Sequence, residues 1–279
     1  MTGDAPIAPT GTRSRTRSGR LLYPLAALLV VAYVNTFELW AVLVQSIGPA
    51  QAALVPFATL GIGLGLAGWW TVRHRGTLRL SPTLLFAGLT LAVLGLALTD
   101  PDFPAKRIHV PQYLLLALVL RRALSDHVGG AVLTAVTILV TLVFGVHDEM
   151  LQGLHPSRTY GLRDMLVNAV SGASGAMFAA GVGLWPGASC SFRLPAPVAA
   201  ALTVQAGALI FLVFTMTNFV ELPPPVWAGA PVAIGGIGLL ASVRSGSPAV
   251  RHVCAVFTWI TLPFALYPVI PHVTPLVFH

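Results

Sequence analysis

The chain has 279 residues, of which 56% are hydrophobic and only 9% are charged, whereas about a quarter of the residues in a soluble globular domain carry charge. This composition excludes an ordinary soluble protein and indicates an integral membrane protein. The formal charge of +7 is then expected to report topology and attraction to anionic lipid rather than nucleic-acid binding.

Apolar stretches long enough to cross a membrane recur along the whole chain. About 20 apolar residues, at about 1.5 Å per residue, span the ~30 Å hydrocarbon layer. The sequence therefore predicts an all-α, polytopic bundle of about nine membrane helices. Their expected ranges are 21–43, 52–71, 82–99, 109–124, 129–146, 164–185, 196–218, 226–243 and 252–270.

Four segments follow from this division. Residues 1–20 form a basic tail expected to be disordered and cytoplasmic, 21–81 a transmembrane hairpin, 82–186 a four-helix module, and 187–279 the C-terminal helices. Gly61-Ile62-Gly63-Leu64 recurs as Gly236-Ile237-Gly238-Leu239, so the last segment is a possible repeat of the hairpin. Chance similarity between glycine-rich apolar helices is the alternative.

Basic residues predict the orientation. All but four of the sixteen Lys and Arg residues fall on one side of a nine-helix bundle, and short cytoplasmic loops carry the excess of such residues. We therefore expect a cytoplasmic N-terminus and an external C-terminus in a bacterial cytoplasmic membrane. The four exceptions, all on the outer side, are Lys106, Arg107, Arg158 and Arg163.

Polar residues concentrate at the predicted outer ends of three helices in the central module. At 3.6 residues per turn, His109 and Tyr113 share one helix face, as do Glu149 and Gln152. Asp164 and Asn168 lie in one stripe with the small residues Gly172 and Gly175. These glycines predict close helix packing, and Gly61 and Gly65 predict the same in another helix. The three polar faces are expected at one membrane level, either as a functional site or as an ion-paired tie between helices.

Over about residues 82–186 the chain resembles the VanZ-like family of membrane proteins. The likeness is carried by Lys106, His109, Tyr113, Asp148, Glu149, Gln152, Pro156, Arg158, Asp164, Asn168 and Gly175. Ser157 and Ser171 depart from it, since glycine is usual at both positions. The resemblance implies a link to resistance against teicoplanin, a glycopeptide that acts on cell-wall precursors outside the membrane, with no reaction firmly assigned.

The residue types suggest an anion-binding site with proton-transfer groups. Arg158 and Lys106 suit a phosphate or carboxylate, with Tyr113, Gln152 and Asn168 as further binding residues. General acid or base roles fall to His109, Asp148, Glu149 and Asp164. The expected partner is a membrane lipid or a lipid-linked phosphate or cell-envelope precursor, and no soluble cofactor is expected.

Two alternatives stay open at this point. A transporter or flippase-like protein, or a subunit of a membrane-protein complex, could use the same cluster for headgroup binding or proton relay, with Thr203 and Gln205 as mid-membrane polar groups. Whether the protein is an enzyme is therefore undecided. A metal site has less support in the sequence than either of these interpretations, because the spacing is not H-E-x-x-H and nearby Arg and Lys oppose a cation. Its candidate ligands are His109, His147, Asp148, Glu149 and His155.

Overall fold

The computed structural model describes residues 12–74, 80–155, 158, 161–188 and 192–279, with side chains described from Gly19 onward. All regular structure within these ranges is helical. The helices are α1 (Thr12–Val34), α2 (Thr36–Ile47), α3 (Pro49–Ala52), α4 (Val55–Arg73), α5 (Pro82–Leu98), α6 (His109–Leu124), α7 (Gly130–Gly153), α8 (Leu162–Gly181), α9 (Ala196–Met216), α10 (Ala230–Ser242), α11 (Pro248–Thr261) and α12 (Ile270–Val273). Short 3₁₀ turns cover Pro104–Ile108, Val226–Gly229, Val243–Ser245 and Leu262–Leu266.

Apolar helices of membrane-spanning length are present, as the composition predicts. Four of the described helical stretches are long and apolar enough to cross a bilayer, at Pro49–Arg73, Gly130–Gly153, Ala196–Met216 and Pro248–Leu266. A bent pair, Gly19–Val34 with Thr36–Ile47, makes a fifth if it counts as one span. The chain is thus an all-helical protein compatible with a membrane location. The predicted spans at 109–124 and 164–185 correspond to α6 and α8, which carry polar residues and pack inside the bundle.

The first predicted span differs from expectation because it is broken. α1 begins at Thr12, inside the segment expected to be a disordered tail, and ends at Val34. The two helices bend by 52° across Asn35, whose side-chain amide donates a hydrogen bond of 2.9 Å to the carbonyl of Val31. The apolar run is therefore two helices, with Asn35 between them and its side chain bonded to the last turn of α1.

Helices α5 to α8 pack against one another. α8 lies along α5, α6 and α7, while α1 packs on the outer side of α6 and α7. A Cβ atom on Gly175 would lie 2.7 Å from the carbonyl oxygen of Leu114, and one on Gly172 would lie 2.4 Å from Thr141 Cγ2. The predicted close packing at these two glycines is therefore present. At Gly61 and Gly65 it is not, since no described atom lies within 4 Å of their Cβ positions.

The C-terminal helices form a second packed group beside this module. α10 packs against α9 and α11, and α11 also contacts α7. The buried amide of Gln205 on α9 donates a hydrogen bond of 2.8 Å to Thr261 Oγ1 on α11. The Thr203 hydroxyl donates within its own helix, to Ala199 O at 3.0 Å. These two polar groups thus have structural partners.

Candidate functional site

The nine residues predicted for the site come together at one end of the central helices. They come from the 3₁₀ turn before α6, the first turns of α6 and α8, the last turns of α7 and the connection between α7 and α8. Seven of them are buried, at 0–5% exposure: His109, Tyr113, Asp148, Glu149, Gln152, Asp164 and Asn168. Lys106 and Arg158 are only partly buried.

Hydrogen bonds hold the two carboxylates at the centre. The Tyr113 hydroxyl donates to Asp148 Oδ2 at 3.0 Å. Glu149 Oε2 accepts from the backbone N–H of Gly161 at 3.2 Å, and its Oε1 lies 3.4 Å from the amide nitrogen of Asn168. His109 Nδ1 is 3.7 Å from Asp148 Oδ2, which is too long for a hydrogen bond. The acids are thus oriented by donors from α6 and α8.

Gly145 is a site residue that the sequence analysis missed. It lies one turn before Glu149 on α7, where a Cβ atom would be 2.9 Å from Asn168 Cβ and 3.4 Å from Tyr113 Cε1. Only a residue without a side chain lets α6 and α8 approach α7 this closely. A glycine one helical turn before a buried acid was the signal available in the sequence.

The two cations occupy the edge of the cluster. Lys106 Nζ lies 2.6 Å from Asp164 Oδ2, with the lysine side chain 27% exposed and the aspartate buried. The Arg158 guanidinium donates to Gln152 Oε1 and, at 3.3 Å, to the carbonyl of Val34. Partial burial lowers the pKa of Arg158, and the nearby carboxylates oppose that shift.

The break between α1 and α2 covers the site, which the sequence did not indicate. The Arg158 guanidinium lies 3.7 Å from the ring centroid of Phe37, a cation–π geometry. The Phe37 ring is also 6.2 Å from that of His109. Gln112 lies in the same region. Its side-chain amide donates to Thr36 Oγ1 at 2.7 Å, and its backbone carbonyl accepts from the Tyr33 hydroxyl at 3.0 Å. The first turn of α2 is therefore part of the site wall.

Two histidines proposed as metal ligands point away from the cluster. His147 Nε2 lies 2.5 Å from the carbonyl of Ile260 and its Nδ1 lies 3.0 Å from the Tyr267 hydroxyl, so both ring nitrogens contact the C-terminal helices. His155 lies 3.6 Å from Glu38. The five candidate ligands thus reduce to His109, Asp148 and Glu149, whose ligand atoms lie within 4.8 Å of one another.

Arg163, one of the four basic residues expected on the outer side, stands apart from the site. It donates to the carbonyls of Leu98 and Thr99 at 2.7 Å and 2.9 Å, at the end of α5. Its role is to satisfy the last carbonyls of that helix. Pro156 and Ser157, which enter the family resemblance, lie outside the described residues.

Comparison with protein families, with curated proteins and with solved structures found no match for this chain. The VanZ-like resemblance therefore depends on the site residues alone and stays a prediction.

Proposed function

We propose that the chain is a VanZ-like protein of the bacterial cytoplasmic membrane, a bundle of about nine membrane helices with its N-terminus in the cytoplasm and its C-terminus outside. The module of residues 82–186 would carry an outward-facing site. That site binds or processes a lipid-linked phosphate or a related cell-envelope precursor. The teicoplanin link of the family belongs to the same proposal, because that drug acts on such precursors.

The distribution of charge in the site carries this proposal. Lys106 and Arg158 are partly exposed at its edge, whereas Asp148, Glu149 and His109 are buried beneath them. An anionic headgroup arriving from the membrane surface meets the cations first. The Arg158 fork can bind two phosphate oxygens, and Lys106 adds a point charge.

The buried groups of the site supply proton transfer after the headgroup has bound. Once the headgroup is held by Lys106 and Arg158, the carboxylates and His109 are close enough to accept or donate a proton. Tyr113 and Asn168 keep the carboxylates oriented through the hydrogen bonds described above. Gln152, already bonded to Arg158, fixes the orientation of the guanidinium.

Headgroup binding can be tested with purified protein in lipid nanodiscs containing either a polyprenyl phosphate or phosphatidylcholine alone. Arg158→Lys keeps the positive charge but loses the planar fork, so binding of the polyprenyl phosphate should weaken by at least about tenfold. Arg163→Lys is the matched control, because Arg163 bonds the carbonyls of Leu98 and Thr99 and lies 3.9 Å from Asp100, at the end of α5. Equal binding by wild type and Arg158→Lys would refute the proposal.

Whether bound lipid is chemically changed separates an enzyme from the non-enzymatic alternative. Glu149→Gln removes a proton-transfer group while leaving both cations in place. If the protein is an enzyme, this variant should still bind the headgroup while the unprocessed lipid accumulates in the host, as lipid mass spectrometry would show. Unchanged lipid composition with an altered distribution across the membrane would indicate a transporter.

A further inference from the structure

Three ligand-type side chains converge at the floor of the site. His109 begins α6, and Asp148 and Glu149 are neighbours near the end of α7. One nitrogen or oxygen atom from each lies within 4.8 Å of the other two. Bonds of about 2.0–2.2 Å to a shared metal ion place ligand atoms roughly 3–4.5 Å apart. The limit of 4.8 Å is close to the spacing of a chelating set, and a small inward movement of the side chains would bring all three atoms onto one ion.

Two buried polar atoms of this set have no hydrogen-bond partner. They are Nδ1 of His109, a residue 2% exposed, and Oδ1 of Asp148, which is fully buried. Most buried polar atoms in proteins are hydrogen-bonded, and each exception calls for a ligand or another explanation. A cation between His109 Nδ1 and the carboxylates would satisfy both atoms at once.

The carboxylates already have the outer hydrogen bonds that metal ligands have. Tyr113 donates to Asp148 at 3.0 Å, while Gly161 N–H donates to Glu149 at 3.2 Å. Such outer-shell donors fix the orientation of ligating groups and are a regular feature of metal sites. Both carboxylates keep lone pairs free for a cation, because a carboxylate has about four acceptor positions.

The charge of the cluster also favours a cation. Among the described residues, the basic side chains next to Asp148, Glu149 and Asp164 are Lys106 and Arg158. Of these, Lys106 is paired with Asp164, and Arg158 lies over Phe37 and bonds Gln152. The sequence-based objection that Arg and Lys would repel a metal is weaker for Lys106, which is paired with Asp164, whereas the charge of Arg158 still acts on Asp148 and Glu149. An excess of buried negative charge is costly in a membrane protein unless it is compensated.

We infer that His109, Asp148 and Glu149 bind one divalent transition-metal ion, of the class of Zn²⁺ or Mn²⁺. An imidazole nitrogen with two carboxylate oxygens suits these ions better than Ca²⁺ or Mg²⁺, which prefer all-oxygen sites. Three protein ligands leave a position for water or a phosphate oxygen. An ion here extends the proposed function, because water on the ion would then handle the proton that Asp148 and Glu149 otherwise move.

The test uses the full chain in detergent, stripped with a chelator and titrated with Co²⁺ or Zn²⁺ without any lipid. We expect about one ion per chain, with visible Co²⁺ absorption bands typical of a low-coordinate nitrogen and oxygen site. His109→Gln should lower the affinity by at least about 100-fold. His147→Gln is the matched control, because that histidine is on α7 beside the triad but faces Ile260 and Tyr267.

A third variant covers the case in which His109→Gln fails to fold. Tyr113→Phe keeps all three ligands and should lower the affinity for the ion by about tenfold, because Asp148 loses its hydrogen bond from the tyrosine hydroxyl. No stoichiometric ion in wild type, or equal binding by wild type and folded His109→Gln, would overturn the inference. Because no lipid is present, this result is independent of whether Arg158 binds a headgroup.

Discussion

At the scale of single residues, the hydroxyl of Tyr113 is bonded to a buried carboxylate. It donates to Asp148, which is fully buried. Removing a donor from a buried ionised acceptor leaves that group's desolvation uncompensated, whereas a hydrogen bond to a neutral carbonyl contributes less. Tyr33 offers the comparison, since its hydroxyl donates to the backbone carbonyl of Gln112 at 3.0 Å.

Tyr113→Phe should therefore lower the free energy of unfolding by about 1.5–3 kcal/mol, and Tyr33→Phe by about 0.5–1.5 kcal/mol. Thermal unfolding of both variants in the same detergent measures the difference. A smaller loss for Tyr113→Phe than for Tyr33→Phe would show that the bond to Asp148 contributes little to the fold.

Gly145 makes a steric prediction. Gly145→Ala places a Cβ 2.9 Å from Asn168 Cβ, so α7 and α8 must move apart at a cost of about 1–3 kcal/mol. Gly61→Ala is the control, because no described atom lies within 4 Å of its Cβ position, and alanine should be neutral or slightly stabilising there. Thermal unfolding of the two variants measures this difference in stability. Equal stability would mean that α6, α7 and α8 are not packed as closely as described.

At the scale of helices, the break at Asn35 connects the N-terminal hairpin to the site. Because the ladder is interrupted, the Val34 carbonyl is free to accept from Arg158, and Phe37 turns over the guanidinium. The hairpin thus supplies a hydrogen-bond acceptor and an aromatic face to Arg158 of the four-helix module.

Asn35→Leu should straighten this region, since the side-chain bond to Val31 is lost and the apolar run can continue as one helix. Spin labels at the exposed positions Leu28 and Val42 should then move farther apart, as measured by pulsed electron spin resonance after Cys190 and Cys254 are replaced by alanine. Asn218→Leu removes a similar bond, to Phe214 O at the end of α9, and should leave that distance unchanged. An unchanged distance in Asn35→Leu would show that tertiary packing, rather than Asn35, bends the segment.

The sequence predicted the helices and the shared faces of the site because both follow from local periodicity. His109 with Tyr113, and Asp164 with Asn168, are each four residues apart and lie on one helix face. The same periodicity places His147 about 200° around α7 from Glu149, on the opposite face of the helix. The contacts of Arg158 with Val34 and Phe37 join distant parts of the chain, and no local pattern encodes them.

At the scale of the whole molecule, the bundle has two chemically different ends. The cluster of acids with Lys106 and Arg158 lies where α6 and α8 begin and α7 ends. At the other end of α6, Arg122 pairs with Asp126 at 3.0 Å, and the His127 ring stacks on His252 of α11 at 3.6 Å. Arg122 is one of the arginines that the sequence predicts on the cytoplasmic side of the membrane.

This arrangement predicts which positions reagents can reach from outside the cell. Asp102 and Arg73 are exposed and lie on either side of α5, which at 17 residues is a short apolar helix. In a background without Cys190 and Cys254, Asp102→Cys should react with a membrane-impermeant maleimide on intact cells. Arg73→Cys should react only after the membrane is opened, because the proposed orientation places the basic end in the cytoplasm. Labelling of both positions on intact cells would mean that α5 does not cross the bilayer, and labelling of Arg73→Cys alone would invert the orientation and place the site in the cytoplasm.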